Sequence, residues 1–315
     1  MNPRVSVIIP TYNCAEYFPE AIESVLSQTF KDYELIVVDD GSTDNTEAVV
    51  KKYGDRIKYL YQANRGPGAA KNLGIKNSRG SLIATLDADD RWQPQKLEIQ
   101  CEYMRSHPKV GLVYANCSTF DETGIMTEAY DGTHREVYQG DVFDKLILKN
   151  FIASITIMAR KECLDKVGLF PENFMISEDW HLWLRIAKNY PIGYIDEPLA
   201  MYRWQQKSLT WDYAKSYPYR IRVLDEIKAM FSDYFSTRKG LIRRAYSGLF
   251  MRYGYALYKS DEYKLAYKNF VESIYHNPFQ FNSYLYLMGL LIPRSFLAPL
   301  ARFKSKVGIR FMPAE

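Results

Sequence analysis

The chain is short of the features that mark secreted, membrane-spanning or metal-finger proteins. Its four cysteines, Cys14, Cys101, Cys117 and Cys163, never fall in a CxxC spacing. That argues against a zinc knuckle or a disulfide framework and fits a reducing compartment. A helix that crosses a bilayer needs about 20 apolar residues, and the longest apolar run here, 284–292, stops at Pro293 and Arg294. Met1-Asn2-Pro3-Arg4 leads directly into a strand-like segment without a signal-peptide core, so the expectation is a soluble, cytoplasmic chain. No GxGxxG follows the first apolar run and no GxxxxGK[ST] occurs, which counts against nicotinamide enzymes and P-loop nucleotidases. A net charge of only +4, with 47% hydrophobic residues, excludes a mostly disordered chain.

What is present is an ordinary folding composition, unevenly charged. At about 150 residues per domain, a length of 315 suggests one large domain and a smaller one. Residues 1–212 carry 30 acidic against 24 basic side chains, whereas residues 213–315 carry 7 against 17. Half of the 26 tyrosines also fall in this last third. An acidic front with a basic tail suggests an anionic partner for the tail.

Residues 5–9 (VSVII) form a continuous β-branched run, as in a strand buried on both faces. A helical spacing over 16–28, a strand at 34–38, a helix from about Thr43, a strand at 57–61, a helix over 69–77 and a strand at 82–86 follow. Pro94 then opens a helix that runs to about Ser106. This alternation predicts a parallel sheet covered by helices. From 110 to 204 the pattern is mixed: strands at 110–120, 154–160, 192–195 and 199–204, and helices at 141–149 and from Glu178. The tail reads as helices over 213–235, 239–259 and 262–275, with the domain boundary near 205–215.

Polar clusters stand where strands end: Pro10-Thr11-Tyr12-Asn13, Asp39-Asp40, Asn64 to Gly68, and Asp87 to Asp90. Open α/β sheets bind ligands at the carboxyl ends of their strands. Three carboxylates at 87–90 repel one another without a counter-charge. A hard divalent cation, Mg²⁺ or Mn²⁺, supplies it through Asp87 and Asp89; a solvated turn in which Asp89 or Asp90 caps the next helix is the alternative. Asp39 and Asp40 either accept bonds from a base or ribose, or belong to a polar run that Ser42 or Thr43 turns into a helix cap. Asn64-Arg65-Gly66-Pro67-Gly68, followed by Lys71, suits a phosphate at a helix N-terminus, or is a tight turn with an exposed lysine.

Together these segments resemble the family 2 glycosyltransferases of GT-A fold. VSVIIPTYN (5–13), SVLSQTF (24–30), ELIVVDDGSTDNT (34–46), NRGPGAAKNLGI (64–75), GSLIATLDADD (80–90) and SEDWHLWLRIA (177–187) carry the likeness, in order and in register over about residues 4–205. The resemblance implies an α/β fold of Rossmann-like GT-A type with a mixed, mostly parallel sheet, and a C-terminal helical subdomain. It implies a catalytic domain at 1–212 and a basic, tyrosine-rich region at 213–315. The implied activity is metal-dependent, inverting transfer of a sugar from a nucleotide diphosphate, a UDP-sugar favoured, to a hydroxyl of a glycan or lipid-linked glycan.

The same resemblance implies roles for residues. Pro10, Thr11 and Tyr12 would line the nucleotide pocket; Asp39 and Asp40 would read base or ribose; Asn64, Lys71 and Ala88 would join the donor site. Lys71 stands where many members carry arginine, so a point charge replaces a bidentate contact. Asp87 and Asp89, with Asp90, would hold Mn²⁺ or Mg²⁺ on the donor diphosphate. Glu178-Asp179 matches the catalytic pair, Asp179 acting as base; favouring a helix N-terminus is the alternative for these two. Arg203 would clamp a phosphate; Gln205 stands where members often have histidine.

In the tail, residues 246–278 vaguely resemble a single tetratricopeptide unit, through Gly254, Tyr255, Ala266, Phe270 and Asn277-Pro278. Residues 294–311 join Phe296, Leu297, Leu300 and Phe303 to five basic side chains, a pattern suited to peripheral contact with an anionic membrane at its inner face. No nucleic-acid recognition motif accompanies the basic tail. Competing readings are a degenerate sugar-nucleotide-binding scaffold and a sugar-phosphate nucleotidyltransferase. Intact Asp87, Asp89 and Asp179 oppose the first. The want of a glycine-rich basic loop soon after the first strand opposes the second.

Overall fold

The computed structural model describes residues 2–127, 138–205 and 213–291. The chain divides into two compact units, Met1–Trp211 and Asp212–Glu315.

The first unit contains, in chain order, β1 (Val5–Thr11), α1 (Phe18–Leu26), β2 (Tyr33–Asp39), α2 (Thr46–Lys51), β3 (Lys58–Tyr61), α3 (Pro67–Lys76), β4 (Leu82–Thr85), β5 (Arg91–Trp92), α4 (Lys96–Ser106), β6 (Leu112–Asp121), β7 (Gly124–Thr127), α5 (Phe143–Leu148), β8 (Met158–Arg160), α6 (Lys161–Val167), α7 (Glu178–Asn189) and β9 (Ile192–Arg203). The sheet order is β3-β2-β1-β4-β8-β6-β9-β5, with β7 paired to β6. The half built by β1 to β4 is parallel, as the alternation with helices requires. Beyond β4 the pairing turns mixed: β8 runs antiparallel to both β4 and β6, while β6 and β9 are parallel.

The apolar run of β1 explains its central place. Val5, Val7, Ile8 and Ile9 are all fully buried, so neither sheet face at this strand meets water. Gly74 on α3 lets that helix lie against the strand, because a Cβ there would stand 2.5 Å from the Ile8 side chain.

Three features depart from the sequence reading. The pieces expected at 192–195 and 199–204 are one strand, β9, whose register against β6 slips where Asn116 faces Pro198; a proline has no N–H to give the ladder. The strand expected from 154 begins only at Met158, because Ser154–Thr156 is a 3-10 turn. Pro94 lies just outside α4, and its carbonyl accepts the Thr29 N–H at 2.9 Å instead. The short helix α6 carries no sequence signal that stood out.

The second unit is helical: α8 (Tyr213–Met230), α9 (Ser232–Ser236), α10 (Lys239–Lys259), α11 (Tyr263–His276) and α12 (Phe281–Leu291). Gly254 of α10 admits the Phe270 ring of α11, which a Cβ would meet at 2.8 Å. Beside it, Ser247, Ser273 and Ser283 satisfy one another's buried hydroxyls. The helix expected over 213–235 breaks at Phe231. Among the described residues, no helix is long and apolar enough to cross a membrane. The segment 294–311, read as a membrane contact, lies outside the described residues.

Candidate active site

Register places the sequence clusters on one edge. Thr11 pairs with Asp39 and Asp39 with Tyr61, so the loops after β1, β2 and β3 leave the sheet at the same end. The chain after β4 leaves there too, since the Leu86 N–H bonds the Ile8 carbonyl.

The loops after β1 and β2 are laced together. Asn13, in a left-handed backbone, accepts the Thr43 N–H at 2.7 Å, and its own N–H bonds Ser42 Oγ at 3.0 Å. Asp39 is buried; it accepts the Ser42 N–H at 2.8 Å and the Tyr59 hydroxyl at 2.8 Å. Asp40 accepts Gln62 Nε2 at 2.6 Å and the N–H groups of Arg65 and Gly66 at 2.9 and 2.8 Å. Both carboxylates, expected to read base or ribose, therefore face protein donors that shape the loops. Gly41 completes the arrangement: its φ is +84°, and a Cβ would stand 2.7 Å from the Asn64 backbone nitrogen. Tyr12 is half exposed and Asn64 exposed at this rim, with Pro10 partly covered; Thr11 Oγ1 is buried without a partner among the described residues.

The turn after β4 is built differently. Among the described residues Asp87 Oδ2 accepts only Ser154 Oγ, at 3.2 Å, and Asp87 Oδ1 lies 3.9 Å from Lys71 Nζ. Asp89 Oδ2 accepts Gln205 Nε2 at 3.2 Å. Burial first, and the Asp87 charge second, push Asp89 up to about 6. Ala88 is buried between them. Asp90 is turned inward: Oδ1 accepts the Arg203 N–H at 2.7 Å, and Oδ2 is buried without a partner among the described residues. Burial and the two neighbouring aspartates raise its pKa well above the carboxylate range. Asp90, expected as a third metal ligand, is thus a brace, which leaves Asp87 and Asp89 as the candidates; among the described residues no three His, Cys, Asp or Glu side chains converge on a metal position.

Arg203 likewise leaves its expected role as a phosphate clamp. Its side chain is 6% exposed, its Nε donates to the Asp89 carbonyl at 2.8 Å, and its guanidinium bonds Glu20. The Tyr17 and Phe120 rings lie 4.5 and 4.4 Å from it. Glu20 also bonds Arg91. Sequence reasoning missed Glu20, which is 183 positions from Arg203, and no local pattern links the two.

The third part arrives with α7. Ser177 has φ +67°, an uncommon backbone for serine, and turns the chain into the helix. Glu178 is buried and bonds Lys71 Nζ at 2.9 Å. Burial would lower the Lys71 pKa, but Glu178, Asp87 and Asp179 raise it above the usual lysine value. Lys71, expected to meet base or phosphate, instead sits buried between two acidic segments, with the Phe170 ring 5.3 Å away. Asp179 is half-buried; burial, then the Glu178 charge, push it up to about 7 against the opposing pull of Lys71. Trp180 pins the helix start, its indole N–H bonding the Leu146 carbonyl at 2.9 Å.

The chemistry of the donor set can be tested against a divalent ion. Asp87 and Asp89 offer oxygen only, crowd each other and have few donors of their own. Mg²⁺-type ions bind through one or two carboxylates and complete their shell with water and substrate phosphate. The pair fits such an ion.

Comparison with known proteins gives the family and the fold. The Glycosyl transferase family 2 profile matches residues 6–168. A glycosyltransferase of Rickettsia typhi is 33% identical, over 74% of this chain and 72% of its own. The putative teichuronic acid biosynthesis glycosyltransferase TuaG of Bacillus subtilis is 30% identical, over 73% and 91%. A Rickettsia felis glycosyltransferase reaches 40% over 64% of this chain, which spans only 33% of that relative's length. Among solved structures, S. aureus TarS 1–349 with UDP-GlcNAc superposes with a TM-score of 0.59 at 21% identity, covering 88% of this chain and 92% of TarS. Mannosyltransferase PcManGT from Pyrobaculum calidifontis, in complex with GDP-Man and Mn²⁺, gives 0.60 at 19%, covering 92% and 80%. These likenesses show the fold, that of GT-A glycosyltransferases.

Proposed function

Since this chain belongs to glycosyl transferase family 2 and is a glycosyltransferase, we propose that it moves a sugar from a nucleoside diphosphate to an acceptor hydroxyl with inversion, Asp179 acting as base. One observation carries the reading. Lys71 stands 2.9 Å from Glu178 and 3.9 Å from Asp87, so it joins the start of α7 to the acidic turn after β4. A donor on that turn would have the Asp179 carboxylate close by.

In the step itself, the acceptor oxygen bonds the anomeric carbon as the bond from that carbon to the diphosphate oxygen breaks. The hydroxyl proton passes to Asp179, and the nucleoside diphosphate departs with the electron pair. An inverting displacement needs one carboxylate opposite the leaving group. Glu178 is occupied by Lys71 and supports Asp179 by its charge. A divalent ion held by Asp87 and Asp89 would neutralise charge that develops on the departing diphosphate. Tyr12, Pro10 and Asn64 form the rim where the nucleotide would lie, over loops that Asp39 and Asp40 hold in shape. UDP-sugar is the favoured donor: TarS is solved with UDP-GlcNAc, although PcManGT binds GDP-Man.

Residues 1–212 form the catalytic region in this reading, and 213–315 an accessory one. A glycan or lipid-linked glycan is the acceptor, and TuaG, a putative enzyme of teichuronic acid synthesis, supports an envelope polymer. Peripheral membrane contact through 294–311, on the cytoplasmic side, would bring the enzyme to it.

Asp179→Asn is the decisive variant. It should bind UDP as the parent does and lose transfer by about 10²–10⁴-fold, the usual worth of a general base. Loss of UDP binding along with transfer would make Asp179 a ligand-positioning residue.

A further inference from the structure

A second layer of polar groups lies beneath the acidic turn, in a place no site residue explains. Residues 154–157 cross between the last helix before them and β8 as a 3-10 turn and its continuation. Backbone carbonyls in such a stretch lack ladder partners and need donors from elsewhere. Here four consecutive carbonyls each receive a side chain. Thr85 Oγ1 donates to Ser154 at 3.1 Å, Trp92 Nε1 to Ile155 at 2.8 Å, Gln100 Nε2 to Thr156 at 2.7 Å and Lys96 Nζ to Ile157 at 3.4 Å.

Three of these donors form one buried group. Lys96 and Gln100 have no exposed surface, and Trp92 is 3% exposed. Lys96 Nζ also donates to Gln100 Oε1 at 2.6 Å and lies 4.0 Å from the centre of the Trp92 ring. No carboxylate pairs with this lysine among its described partners, and burial pushes its amine well below the lysine range. Burying polar groups at this density costs free energy that apolar packing would not. What the group secures is the path of 154–157, and that path delivers Ser154 Oγ to Asp87 Oδ2 at 3.2 Å.

We propose that Ser154 is a positioning residue for Asp87, held on its path by the buried group of Trp92, Lys96 and Gln100. The carboxylate then has one oxygen turned to the Ser154 hydroxyl and the other towards Lys71, so its plane is set before a donor arrives. This inference rests on the reading of Asp87 as a residue that holds a divalent ion at the donor diphosphate. Groups that orient metal-holding carboxylates are commonly worth 10–100-fold in metal affinity or activity.

The test is calorimetric binding of UDP to the full chain, once in Mn²⁺ and once in chelator. Ser154→Ala should weaken UDP binding 10–100-fold in Mn²⁺, leave it unchanged in chelator, and keep the melting temperature. Ser154→Thr, which retains the hydroxyl, should restore the Mn²⁺-dependent affinity. Trp92→Phe keeps the ring over Lys96 but removes the donor to Ile155, and should give a smaller loss that again appears only in Mn²⁺. Parental Mn²⁺-dependent affinity in Ser154→Ala would overturn the proposal. A Trp92→Phe chain that melts earlier but binds as the parent does would overturn the part given to the buried group. A parent whose UDP affinity is the same in Mn²⁺ and chelator would instead overturn the metal reading of Asp87, and this inference with it.

Discussion

The acidic pair after β2 and the acidic turn after β4 look alike in sequence and are built on opposite plans. Asp39 and Asp40 together accept five hydrogen bonds, three from backbone N–H groups. Among the described residues, Asp87 and Asp89 each accept one long bond from another side chain. A carboxylate saturated by protein donors is part of the scaffold. One left with few donors, in partial burial and beside another, is free to meet a cation, as the proposed reading has it. Asp179 shares the second condition, with Glu178 next to it and Lys71 already engaged. The contrast teaches that donor count, more than acidity in the sequence, separates construction from chemistry at a strand end.

Breaking the second set should cost the most. Asp89→Ala should lower transfer by about 10²-fold or more and weaken UDP binding in Mn²⁺ only, as expected when a metal-holding group is lost; equal weakening in chelator would refute the contrast. Next comes pH. As the proposed base, Asp179 must be unprotonated to accept a proton, and burial with the Glu178 charge pushes it up to about 7. The kcat/KM profile should therefore fall about tenfold per unit on the acid side of pH 7, and Asp179→Asn should remove that limb from its residual activity.

The remaining two expectations concern stability and have opposite signs. Asp40→Asn loses a charged acceptor for one buried and one part-buried backbone N–H group and should cost about 1.5–3 kcal/mol, read by urea unfolding. An unchanged stability with lost UDP affinity would return Asp40 to the nucleotide site. Asp179→Asn should do the reverse. The folded pKa of Asp179 is raised above the ordinary 3.8, so the native state holds the extra proton and its contribution is lost as pH rises from about 4 through 7. At pH 8 the variant should therefore melt above the parent, with the difference vanishing near pH 4.

Much of this was legible in the chain. The β-branched run of β1, the regular spacing of β2 to β4 with their helices, and the loop clusters at one edge followed from periodicity and from where polar residues interrupt it. The likeness over 4–205 also singles out Asp87, Asp89 and Asp179, the residues on which the proposed reading rests. What stayed hidden depends on partners far away in the chain. Nothing near Lys71 announces Glu178, 107 positions later, and nothing near Asp90 or Arg203 shows that they bond each other instead of a ligand. Ser154 was unreadable for the same reason: a lone serine after an apolar segment has no pattern, and its meaning lies in four side chains drawn from β4, β5 and α4. The β9 slip at Pro198 was missed because two short apolar pieces look the same whether or not a ladder joins them.

The left-handed turn at Ser177 has an evolutionary corollary. A backbone of φ +67° two positions ahead of Asp179, the proposed base, is comfortable for glycine and tolerable for asparagine or aspartate, but β-branched residues enter it only with strain. Mutational drift at this one position is thereby narrowed by backbone geometry alone. Libraries that vary position 177 should recover small and amide-bearing residues and reject valine and isoleucine, whichever sugar the enzyme is asked to carry.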